Sequence, residues 1–194
     1  NVVLGIENPN IIQNDDFSNG IPSTWINDET NPWSLVDGHI QSGNAGIASS
    51  SSTITVFASF PANGTVEFDA DCMGEGTGTS NYYDHCDFTI DGTRLLYVGA
   101  NNPGWNHYTF DVSAGLHTLT WSYTKDGSVD PTGDYFAVDN VVLKLPTTID
   151  WEAPVYAENT EYTFTGLAPE TTYFAMVQSN CGEDGLSAVT DTIT

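Results

Sequence analysis

His107-Tyr-Thr-Phe-Asp-Val112, Ser113-Ala-Gly115 and Leu116-His-Thr-Leu-Thr-Trp-Ser-Tyr123 are the stretch on which the fold turns. On both sides of the Ser-Ala-Gly connection, polar and apolar residues alternate with a period of two. That is the pattern of strands with one buried face. Working outward, Ile54-Thr-Val-Phe-Ala-Ser-Phe60 and Thr65-Val-Glu-Phe-Asp-Ala70 flank Pro61-Ala-Asn63-Gly64, which reads as a hairpin. Phe88-Thr-Ile90 and Arg94-Leu-Leu-Tyr-Val98 flank Asp91-Gly92 in the same way. Tyr135-Phe-Ala-Val-Asp-Asn-Val-Val-Leu143 reads as a last long strand. No segment of a dozen residues carries a helical period. The chain is predicted to be all-β, with a jelly-roll β-sandwich over residues 1–145.

Composition agrees. Of 194 residues, 39% are apolar, enough for a packed core. Three Lys+Arg against 26 Asp+Glu give a formal charge of −23. Such a surface repels phosphate and anionic lipid, which excludes nucleic acid and membrane attachment as partners. No apolar run approaches the roughly 18 residues of a membrane span, so no membrane insertion is expected. No charged-then-apolar leader opens the chain, and a trimmed or mature piece of something soluble is expected. Three cations cannot lace helices with ion pairs. The carboxylate surplus suits a divalent cation, or serves only to keep a secreted surface soluble.

Cys72 and Cys86 flank a glycine-rich excursion and could sit on neighbouring strands. A disulfide there and free thiols are both open, while a zinc pattern is not. Cys181 is far away and odd in number, its partner unassigned.

Lys144-Leu-Pro-Thr-Thr148 reads as a joint, beyond which no Lys or Arg occurs. Within residues 146–194, Leu167-Ala-Pro-Glu-Thr-Thr-Tyr173 runs into Phe174-Ala-Met-Val-Gln178. A Leu-x-Pro-x-Thr-x-Tyr run entering a strand is a corner in which the Tyr hydroxyl bonds back to upstream backbone. It closely resembles the second half of a fibronectin type III domain. About half the length of such a domain is present. The expectation is a segment absent from this sequence, with completion by another chain as the alternative.

Asp15-Asp-Phe-Ser-Asn-Gly-Ile-Pro-Ser-Thr-Trp25 resembles the opening of the cleaved-adhesin domains of gingipains. Ala114-Gly-Leu-His-Thr-Leu-Thr-Trp-Ser-Tyr-Thr-Lys-Asp126, followed by Gly133-Asp-Tyr-Phe-Ala-Val-Asp-Asn-Val141, resembles their close. The resemblance implies a secreted or surface, non-catalytic jelly roll that binds glycans or host and matrix proteins. It also implies one structural Ca²⁺, with Asp139 and Asp16 at the positions that match its ligands. Asp139 supports this independently, because a carboxylate in an otherwise apolar strand must be paired or coordinated. Asp126–Asp134 has the spacing of a calcium loop but lacks its glycine and its closing Glu, so it reads as a solvated acidic loop.

Gly-x-Ser-x-Gly, His-Glu-x-x-His and the P-loop are absent, and no enzyme is expected. Binding remains. Sugar rings dock on aromatic faces while amides and carboxylates bond their hydroxyls. Trp105 sits among amides in Asn101-Asn102-Pro-Gly-Trp-Asn106, and Tyr82-Tyr83-Asp84 lies beside the cysteine excursion. Trp105, Tyr82, Tyr83 and Asn102 are therefore the candidate ligand platform, with Trp105 folded onto the core as the competing reading. The expected function is recognition, of carbohydrate before protein, as a module of a larger multidomain chain. The alternative is a structural spacer or protein–protein adhesion module.

Overall fold

The computed structural model describes residues 2–8, 10–75, 82–99, 101–129, 133–157, 161–169, 171–179 and 187, excepting the side chains of residues 101–103. In chain order the strands are β1 (Val2–Asn8), β2 (Ile11–Asp15), β3 (Ile26–Asn27), β4 (Ser34–Val36), β5 (His39–Gln41), β6 (Ser51–Phe60) and β7 (Gly64–Met73). They continue as β8 (His85–Ile90), β9 (Thr93–Gly99), β10 (Asn101–Val112), β11 (Gly115–Thr124), β12 (Tyr135–Lys144), β13 (Thr148–Trp151) and β14 (Tyr173–Val177). The chain is all-β, and it divides into two compact units: residues 11–145, and residues 1–10 together with 146–194.

The larger unit is an antiparallel sandwich. One sheet runs β10-β7-β12-β5-β4, with β2 also on β12, and the other runs β3-β6-β11-β8-β9. Alternation decides which residues meet between them. Val66, Phe68, Ala70 and Cys72 of β7, and Leu119, Trp121 and Tyr123 of β11, all enter the core. Trp121 is fully buried, its ring 4.8 Å from Phe88, 5.2 Å from Trp25 and 5.4 Å from Phe68. A disulfide joins Cys72 of β7 to Cys86 of β8, and so ties the two sheets together. Closing a loop of this length contributes about 3 kcal/mol in the chain-entropy model.

The two turn signals behave differently. Asp91 and Gly92 have φ of 52° and 76°, and β8 pairs with β9 around them as a tight hairpin. The hairpin expected at Asn63-Gly64 does not form. β6 pairs with β11, β7 pairs with β10 and β12, and the turn carries the chain from one sheet to the other. Gly64 serves close packing instead, since a Cβ there would lie 2.3 Å from the Lys144 carbonyl oxygen. Asn63 accepts the Ala114 N–H at 2.9 Å, joining this crossover to the one between β10 and β11.

The expected boundary, 1–145 then 146–194, is corrected at its beginning. β1 is the middle strand of a separate sheet, β13-β1-β14, and belongs with the second unit. Val2 and Leu4 are buried there, and a Cβ on Gly5 would strike Ile149 and the Trp151 ring. The Tyr173 hydroxyl accepts the Ala168 N–H at 2.9 Å, the backward bond of a tyrosine corner. The strand beside that corner is thus supplied by the chain's own first residues, where an absent segment or another chain was expected. Cys181 lies outside the described residues.

Candidate functional site

The outer face of the β10-β7-β12-β5 sheet is built by the same alternation that builds the core. Because Phe68 and Ala70 point inward, Asp69 and Asp71 point out; because Val138 and Ile40 point inward, Asp139 and His39 point out. The registers set His107 opposite Asp69 and Asp69 opposite Asp139, so a polar row crosses the sheet. His107 Nδ1 lies 2.8 Å from one Asp69 oxygen, and Asn140 Nδ2 donates to the other at 2.9 Å.

Trp105 stands at one side of this row. A bulge in β10 between Asn102 and Asn106 breaks the ladder with β7. Gly104, at φ +116°, makes the turn that a side chain would strain. Its N–H donates to Asp71 Oδ1 at 2.7 Å, while the Tyr135 hydroxyl donates to Oδ2 at 2.9 Å. Asp71 is thereby buried and the bulge pinned. Desolvation and the Asp71 carboxylate both push the Tyr135 phenol up, keeping it a donor. Trp105 remains 48% exposed, which settles it as a surface residue, with its ring edge-on to His39 at 5.1 Å.

Tyr82 and Tyr83 make other contacts. Tyr82 packs at 5.0 Å on Tyr97 of β9, in the other sheet, where Gly99 leaves room for the ring. Tyr83 is exposed, and among the described residues no ring contact links either tyrosine to Trp105. Tyr82 thus packs with a strand of one sheet, and Trp105 with a strand of the other. The Asn102 side chain lies outside the described residues. His39, His107 and Asp69 were missed, because alternation marks them as outward-facing but cannot say which outward residues share a row.

Asp139 is half-buried at a bulge in β12, and it accepts the Asn140 N–H at 2.8 Å. Burial raises its carboxyl above the ordinary range, and the charges of Asp69 and Asp16 add to this. The Asn140 N–H and His39 act the other way. Asp16 lies in the exposed loop after β2, held low by the Ser18 hydroxyl at 2.8 Å and its N–H at 3.0 Å. The two carboxylates are near enough to feel each other.

A second acidic group lies where β7 and β11 end. One oxygen each from Glu75, Asp84 and Asp126 lies within 4.8 Å of the others, close enough to share a cation. Beside them is a buried cation of the chain's own. Lys125 Nζ contacts Asp134 Oδ2 and lies 4.0 Å from Asp84 Oδ2.

Solved structures resemble this chain, two cleaved adhesin domains among them. The K3 cleaved adhesin domain of Lys-gingipain from Porphyromonas gingivalis is 17% identical, with a TM-score of 0.52 over 69% of this chain and 98% of that one. The K1 domain of the same protein is 14% identical, with the same TM-score and coverage. The sandwich has the cleaved-adhesin fold. No protein-family model and no curated protein matches the sequence. Within the adhesin-type sandwich, Trp105 and the His107–Asp69–Asp139 row are carried by strands, on a face that the core leaves free.

Proposed function

We propose that this protein is a secreted or cell-surface recognition module, non-catalytic, that binds carbohydrate on the outer face around Trp105. The half-exposed indole above a row of carboxylate, amide and imidazole groups carries this reading. An aromatic face stacks on a sugar ring, and the polar row bonds its hydroxyls. The charge of −23 disfavours sulfated or uronate-rich polymers, so neutral glycans are the expected ligands. Trp105→Ala is expected to abolish binding on a neutral-glycan array while changing stability by less than about 0.5 kcal/mol, as surface substitutions do. Unchanged binding would remove Trp105 from the site, and a polyanion bound as tightly as neutral glycans would overturn the electrostatic argument.

We also propose that Asp139 and Asp16 hold a structural Ca²⁺. Burial and the charges of Asp69 and Asp16 raise Asp139, and a cation shared by these carboxylates would relieve that repulsion. Calcium at 100 times its Kd is expected to stabilise the fold by about 2.7 kcal/mol, read as a higher melting temperature that chelator reverses. Asp139→Asn should remove most of that response. Melting that ignores both calcium and chelator rules the site out.

A further inference from the structure

We infer that Lys125 and Asp134 are partners in an intramolecular isopeptide bond, formed by the folded chain itself. Lys125 follows β11 and Asp134 precedes β12, strands of opposite sheets. Neither side chain has any exposed surface, and Nζ contacts Oδ2. The reactants are thus held together, apart from water, in the arrangement that converts a slow bimolecular condensation into a unimolecular one.

Two further features serve the chemistry. The Gly46 N–H donates to Asp134 Oδ1 at 2.9 Å, where negative charge would grow as the tetrahedral intermediate forms. Asp84, 99% buried, places a carboxylate oxygen 4.0 Å from Nζ, within reach to relay a proton.

The step balances without a co-reactant. The ammonium gives one proton to the Asp134 carboxylate, and the neutral amine attacks Cγ. The N–C bond forms and the C–Oδ2 bond breaks. A second proton from nitrogen passes through Asp84 to the leaving hydroxyl, which departs as water. One proton stays on the amide nitrogen, and the ion pair becomes a neutral amide.

The test is the intact mass of the full chain, unfolded and with its disulfide reduced. The expected mass is lower than that of the sequence by one water, and tandem mass spectrometry of a digest should show a branched peptide joined through residues 125 and 134. A succinimide at Asp126-Gly127 would also lose water, but it gives no branched peptide. Lys125→Arg is expected to restore the full mass, whereas a succinimide would persist in that variant. A full-length mass for the wild-type chain, or water loss without the branch, overturns the proposal. Glycan binding around Trp105 is read separately and does not bear on either outcome.

Discussion

Removing residues 1–10 is expected to abolish the fold of the second unit while leaving the sandwich intact. β1 is the middle strand of its sheet, paired with β13 through Gly5↔Trp151 to Asn8↔Thr148 and with β14 through Val2↔Val177 to Ile6↔Tyr173. β13 and β14 are not neighbours, so without β1 neither has a partner in that sheet. Leu4 and Ile6 also line, with Val155, Phe164, Leu167 and Tyr173, a cleft in this unit. Calorimetry of the whole chain should show two transitions, and the shortened chain should retain only that of the sandwich. Two surviving transitions would show that β1 is dispensable.

Trp121→Ala is expected to cost the sandwich about 3–5 kcal/mol, as deletion of a buried aromatic does. That is a large part of the roughly 5–15 kcal/mol by which a domain is stable. Trp121 is fully buried and packs on Phe68 of the facing sheet, Phe88 of its own sheet and Trp25 of the segment before β3. Denaturant titration against Trp105→Ala gives the contrast. One tryptophan should move the midpoint far, and the other should leave it in place. Equal shifts would contradict the burial of Trp121.

The period-two pattern made most of the sandwich legible, because a strand with one buried face declares itself residue by residue. What it could not declare was pairing. Ile54–Phe60 and Thr65–Ala70 carry the same alternation whether they lie side by side or face each other across a core. Asn63-Gly64 tipped the reading to a hairpin, when the glycine was needed for the close approach of Lys144. Asp91-Gly92 has the same chemistry, but there both residues adopt positive φ. β1 was hidden for another reason: its partners begin at Thr148 and Tyr173, and nothing local to Val2–Asn8 points that far. At the proposed site, Trp105 was singled out because an aromatic among amides is conspicuous. His39 and His107 were not, since their common row exists only once three registers are known.

The path of the chain has a mechanical consequence. The sandwich is inserted into the second unit between β1 and β13, which pair through Asn8↔Thr148, while Asn10 donates to the Pro146 carbonyl at 3.3 Å. The sandwich's own first and last strands also pair there, at Ile11↔Lys144. Chain enters and leaves the sandwich at one point, so pulling on β1 and β14 does not stretch it. The load falls first on the β1 pairings, and only after β1 has peeled from β13 does tension reach β2 and β12. A tethered module wired in this way would unzip its small sheet rung by rung and keep the Trp105 face unstrained until that sheet had given way.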